Sequence, residues 1–167
     1  MKEIKNKSQS CLLIVGIFLS VEAMTECDKP GLPYDRGAFG YNAANTDNRN
    51  VAGFYTGVRC DRIELDHVVS LKDAWLTGAW QWDAEKLRRF SNDQSNLVPA
   101  CASINRSKGA STPADFRRKS SDERGLDYKI VNWCGYLARY QKVKASYGLS
   151  YCNNSKMAMN SCATLRK

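Results

Sequence analysis

Asp66 and His67 stand side by side in the stretch Arg62-Ile-Glu-Leu-Asp-His-Val-Val-Ser70, and two asparagines, Asn96 and Asn105, follow before Lys108. His67 is the single histidine of the chain, and an imidazole that titrates near neutrality is suited to taking a proton from water. Asp66 offers a carboxylate and Asn105 an amide oxygen. Both are hard donors, and two such ligands leave most of the shell of a Mg2+-like ion to water and phosphate oxygens. A base, a hard cation and a rigid frame meeting at one phosphate are what phosphodiester hydrolysis requires. Glu64 shares the Asp66 side of the strand, where it could orient a water on the metal or form a cross-strand pair with a basic residue. Lys108 and Arg106 could reach a substrate phosphate, although a solvated lysine is an ordinary alternative. Asn96 reads as structural, its amide bonding to the backbone of a turn.

The elements around these residues must place them. The β-branched run from Arg62 to Ser70 predicts a strand. On it Ile63, Leu65 and His67 share one face and Glu64 and Asp66 the other. Asp66 and His67 can therefore address one phosphate only if the chain bends as it leaves the strand at Val68. Residues 71–82, with Trp75, Trp80 and Trp82, form an aromatic stretch that belongs to the core. Asp83 caps a short helix from Ala84 to Phe90. Residues 91–95 make a turn, and Asn96 to Ala100 a second strand. A helix over Cys101 to Lys108 closes at Gly109, and Thr112-Pro-Ala-Asp115 starts another. The longest helix is expected from Leu126 to Tyr147, ended by Gly148, and a last short one between Cys152 and Cys162. Residues 24–57, rich in Gly, Pro, Asn and Asp, read as loops.

The blocks Ile63-Glu-Leu-Asp-His-Val-Val-Ser-Leu71, Trp75-Leu-Thr-Gly-Ala79, Phe90-Ser-Asn-Asp-Gln-Ser-Asn-Leu-Val98 and Asn105-Arg-Ser-Lys-Gly109 resemble the HNH, or ββα-metal, nuclease family. The likeness runs from about Glu64 to Asp115. It is similar to small exported bacterial HNH proteins and to the HNH module of RNA-guided CRISPR nucleases. The resemblance implies an α+β fold: a ββα-metal (His-Me finger) core at about residues 62–109 inside a helix-rich, disulfide-braced single domain. It implies His67 as general base, and Asp66 and Asn105 as ligands of one divalent ion, Mg2+ first and Mn2+ as a substitute. Asn96 and Asn105 join His67 in the implied catalytic set, Asn96 by bracing the loop before the second strand. Many members carry His where this chain has Asn105, and Pro where it has Ser70.

The whole chain fits this reading. Its 167 residues suit one domain, and a hydrophobic fraction of 43% excludes a disordered chain. Lys2, Lys5 and Lys7, the apolar run from Cys11 to Val21 and the small-residue site at Val21-Glu-Ala23 predict a secretory signal over residues 1–23, leaving 24–167 as the nuclease domain. No stable membrane span is then expected. Cys27, Cys60, Cys101, Cys134, Cys152 and Cys162 follow the signal. In a periplasmic or secreted chain they read as up to three disulfides of open connectivity, with a zinc site as the weaker alternative. A net charge of +8 favours polyanions as partners. DNA is the expected substrate and RNA a further candidate, cut with low sequence specificity by a monomer. Arg88, Arg89, Arg117, Arg118 and Lys119 could form the binding rim. The rival readings are an exported basic protein that binds nucleic acid without cutting it, and an antibacterial nuclease toxin with an immunity partner.

Overall fold

The structure, a computed structural model, describes residues 30–42, 51–120, 126–151 and 162. It is a mixed α/β domain. Strands β1 (Ile63–His67) and β2 (Leu97–Cys101) pair antiparallel, with Ile63 opposite Cys101 and His67 opposite Leu97. Between them lie α1 (Leu71–Leu76), a 3-10 turn (Ala79–Gln81) and α2 (Ala84–Ser91). After β2 come α3 (Ala102–Lys108), α4 (Pro113–Lys119) and α5 (Trp133–Tyr147). Pro99 is tolerated within β2 because a two-stranded sheet has only edges. Its carbonyl accepts from Phe54 N–H at 2.8 Å on the outer side.

The helix starts follow the side chains that cap them. Ser70, Asp83 and Thr112 accept from the N–H groups of Asp73, Lys86 and Asp115 respectively. At Ser70, where the resembled family often has proline, the hydroxyl therefore caps the start of α1. Gly148, at φ 67°, stops α5 in the left-handed conformation that glycine adopts without a Cβ clash.

The core is aromatic. Phe39 packs against Trp75 and Phe90, with ring centroids 6.1 and 6.2 Å away. Tyr55 meets Phe116 and Tyr136 edge-on at 5.1 Å. Helix α5 is locked to α1 through Lys144, which is wholly buried. Its ammonium lies 2.9 Å from Asp73 Oδ1, Thr77 Oγ1 and the Ser150 carbonyl, while Tyr140 Oη donates to Asp73 Oδ2 at 2.6 Å. Burial pulls the Lys144 amine below its usual range, and Asp73 works against that shift.

Three expectations change. The first strand stops at His67 rather than Ser70: Val68 N–H still bonds the Asn96 carbonyl in register at 2.8 Å, but Val69 N–H leaves the ladder for the Asn96 side chain. The aromatic stretch at 71–82 resolves into α1 and the 3-10 turn. The longest helix begins at Trp133 rather than Leu126. Its expected first turns are held out of helix by partners elsewhere: Tyr128 N–H donates to Ser120, and Asn132 donates through its backbone to Tyr55 and through its side chain to Phe54. Disulfides join Cys60 to Cys101 and Cys134 to Cys162. Cys27, the signal segment and the helix expected between Cys152 and Cys162 lie outside the described residues. Among the described residues no helix is long and apolar enough to cross a membrane.

Candidate active site

A cavity of about 200 Å³ opens where the end of β1 meets α3. Asp66, His67, Asn105 and Arg106 all line it, with Arg36, Tyr41 and Ser70 completing the wall. Helix α3 starts directly after β2, so the sheet register sets which of its residues face β1. Asn105 and Lys108, one turn apart, share that face.

His67 is 6% exposed, and its Nε2 lies 2.7 Å from the Ser91 carbonyl. A carbonyl oxygen only accepts, so Nε2 carries the hydrogen and donates it. In the neutral ring the lone pair then sits on Nδ1. Burial draws the His67 pKa below its ordinary value. The Ser91 carbonyl and Asp66 push it back up, and the Lys108 and Arg36 cations lower it further. At pH 7 the imidazole is thus in its proton-accepting form. Tyr41 packs edge-on against the ring with centroids 4.6 Å apart.

Asp66 is held from beneath. Tyr55 Oη donates to its Oδ2 at 2.6 Å, and Lys108 Nζ lies 2.9 Å from the same oxygen. Lys108 also donates to the His67 carbonyl at 2.8 Å, so one ammonium fixes both members of the Asp-His pair. This corrects the expectation for Lys108: at 0% exposure it supports the site from inside instead of reaching a substrate phosphate. Tyr55 in turn is pushed well above the ordinary tyrosine range, by burial first and by the Asp66 charge second, and stays a donor.

Asn105 Nδ2 donates to Glu64 Oε2 at 2.9 Å. A carboxylate cannot donate, so the amide must present its nitrogen there, which turns Oδ1 the other way. Glu64 also pairs with Arg62 at 2.9 Å, a basic residue two positions earlier in the same segment and not the cross-strand partner of the alternative reading. Asn96 is fully buried and does not line the cavity. Its Oδ1 accepts from Val69 N–H at 2.8 Å and its Nδ2 donates to Val69 O at 3.1 Å. It therefore braces the turn leaving β1 rather than the loop before β2, and supplies the bend that lets Asp66 and His67 border one cavity.

The basic rim expected from Arg88, Arg89, Arg117, Arg118 and Lys119 is not brought to this cavity. Arg117 stacks over Trp133 at 5.1 Å, Arg118 pairs with Asp115 at 3.5 Å, and Lys119 donates to the Ser107 carbonyl at 3.3 Å. The basic side chains on the cavity wall are Arg36 and Arg106. Sequence reasoning missed Arg36, Tyr41, Tyr55 and Ser91. Tyr34-Asp-Arg36 and Tyr41, aromatic and basic residues set in a Gly-rich loop, were a usable signal. The Ser91 carbonyl, being backbone, left none.

A family model described as "GmrSD restriction endonucleases, C-terminal domain" matches residues 36–160. An uncharacterized secreted protein of Arthroderma benhamiae is 32% identical over 101 residues, which make up 59% of this chain and 45% of that protein. The chain thus spans less than half the length of that relative. No solved structure matches.

Proposed function

The chain belongs to the family of GmrSD restriction endonuclease C-terminal domains, an HNH-type nuclease family, and from that premise we propose that it is a metal-dependent endonuclease that hydrolyses DNA with low sequence specificity. The observation that carries this reading is the Ser91 carbonyl on His67 Nε2, which leaves Nδ1 as the proton acceptor beside Asp66 and Asn105. On this reading β1, β2 and α3 are a ββα-metal core.

Water attacks the phosphorus as its proton passes to His67 Nδ1. The bond from phosphorus to the leaving 3′ oxygen breaks, and its electron pair stays on that oxygen, which takes a proton from solvent. His67 then returns its proton to solvent, leaving a 5′ phosphate and a 3′ hydroxyl. Asp66 and the Asn105 amide oxygen, both hard donors on the cavity wall, fit a divalent cation such as Mg2+. When bound, such an ion supplies positive charge against the charge that builds on the phosphate oxygens. Lys108 and Tyr55 hold the Asp66 carboxylate in place, and Glu64 holds the Asn105 amide. DNA backbone is the substrate class because the wall offers guanidinium groups from Arg36 and Arg106 and no base-reading module. RNA shares that backbone and is the second substrate. Two disulfides, and the word "secreted" in the relative's name, support an exported protein.

The test is plasmid degradation by the oxidised protein with Mg2+, with EDTA, and as the His67→Ala variant. Loss of the base should cost at least the ~10²–10⁴-fold typical of general-base catalysis. Near-full activity in the variant would sink the mechanism. A folded wild-type protein that binds DNA and cuts nothing with any divalent ion would leave the non-catalytic binding protein in its place.

A further inference from the structure

The loop at residues 34–42 contributes to this cavity from far upstream in sequence, and its placement is determined by the same residue that orients His67. Ser91 accepts from His67 through its carbonyl, and its hydroxyl donates to the Phe39 carbonyl at 2.7 Å. Phe39 is wholly buried between Trp75 and Phe90. Asn92 adds two bonds to the loop, accepting from Asn42 N–H at 3.2 Å and donating to Gly40 O at 3.4 Å. Arg36 and Tyr41 are therefore held against the base by an anchored segment. The Arg36 side chain is exposed, lines the cavity, and lies close enough to His67 and Tyr41 for its charge to act on both. Among the described residues it takes part in no ion pair with a carboxylate, and its side-chain partner is the neutral Tyr34 hydroxyl.

We propose that Arg36 is a substrate-positioning residue. With Arg106 of α3, which lines the same cavity, it grips the phosphate on which His67 acts, while Tyr41 keeps the His67 ring in place. A guanidinium suits this work because its fork of donors matches two phosphate oxygens at once. Two arginines lining one cavity give the phosphate two separate anchor points, whereas one would leave it free to swing. The inference rests on the nuclease reading and adds a residue that the HNH blocks do not contain.

The experiment measures binding and cutting separately. Binding of a labelled DNA duplex is followed across a salt series on His67→Ala protein, with and without Arg36→Gln. Cutting is followed with Arg36→Gln and Arg36→Lys alone, and Lys142→Gln, on an exposed face of α5, reports the loss of one positive charge elsewhere. Arg36→Gln should weaken binding by roughly tenfold or more, as expected for a hydrogen bond to a charged group. It should lower the slope of log affinity against log salt by about one phosphate contact. KM should rise more than kcat falls, and Arg36→Lys should recover part of the loss. Binding and salt slope no different from Lys142→Gln would overturn the proposal, as would a fall in kcat at unchanged KM. A wild-type protein that cuts nothing while Arg36→Gln still weakens duplex binding would refute the nuclease reading and leave the phosphate grip standing.

Discussion

Asn105 illustrates how a single side chain acquires a chemical direction. Its amide could face the cavity with either end, and Glu64 decides which, because a carboxylate accepts only from nitrogen. Glu64→Leu would remove that constraint and let the amide rotate. Positioning partners of this kind are worth roughly 10–100-fold in activity or metal affinity. The Leu variant should lose activity on that scale with little change in melting temperature, since Glu64 is only half-buried. Glu64→Gln, which can still offer an oxygen to Asn105, should recover much of the rate. An equal loss in both variants would mean that Glu64 acts through its charge rather than through the amide. At this scale residue type pointed to Asp66, His67 and Asn105, and the structure brings all three to one cavity. The sequence was misleading about Lys108, because nothing in an Asn-x-x-Lys spacing says that the lysine points under the strand, into an ion pair at 2.9 Å.

At the scale of elements, local signals fared well wherever they were self-contained. The caps at Asp83 and Thr112 and the stops at Gly109 and Gly148 act within one turn, and helices begin and end there as expected. The segment 126–132 carried a helical spacing too, but its backbone partners lie in residues 54–55 and 120, which no local pattern reveals. The join between α5 and the turn before β2 is another such contact. Tyr147 Oη donates to Asp93 Oδ2 at 2.8 Å, and Arg139 donates to the carbonyls of Gln94, Ser95 and Leu97. Burial raises the Tyr147 pKa, with help from Asp93, from the ordinary tyrosine value of 10.0 to about 12. Burial also works against the Asp93 charge, but the Ser95 N–H and the Tyr147 hydroxyl outweigh it and hold that carboxyl below 3.8. The signs follow from linkage. The Tyr147 contribution is complete below pH 10 and fades as pH rises toward about 12. The Asp93 contribution is complete above its unfolded value near 3.8 and fades as pH falls through its lower folded value. Tyr147→Phe should therefore be less stable than wild type by about 1 kcal/mol or less, given the solvent exposure of the pair. The gap should be widest from about pH 5 to 9 and close toward both extremes. Urea unfolding of the two proteins at pH 3, 7 and 11 tests this, and a constant gap would refute it.

At the scale of the molecule, the two disulfides among the described residues do different work although their loops are of similar size. Cys60–Cys101 closes 41 residues and Cys134–Cys162 closes 28. Chain-entropy arguments make each worth about 2–4 kcal/mol, with a difference of only a few tenths between them. Their positions are not equivalent. Cys101 ends β2, sits opposite Ile63 in the register and adjoins α3, so its bridge ties the chain entering β1 to the strand that delivers Asn105 and Lys108. Cys134 lies in the first turn of α5, and neither it nor Cys162 lines the cavity. Cysteine spacing could not separate these roles, because pairing is settled by the strand register and not by sequence distance. Paired Cys→Ala variants would separate them. Both should lower the denaturant midpoint by comparable amounts and steepen the slope of the transition, because the unfolded chain is no longer cross-linked and exposes more surface. At a temperature where both are fully folded, the Cys60/Cys101 variant should show a lower kcat and weaker metal activation, because Asn105 can then drift from Asp66. The Cys134/Cys162 variant should keep the wild-type rate. Equal rates in the two folded variants would show that the sheet register alone, through the pairing of β1 with β2 and the Lys108 ion pair, suffices to hold the site.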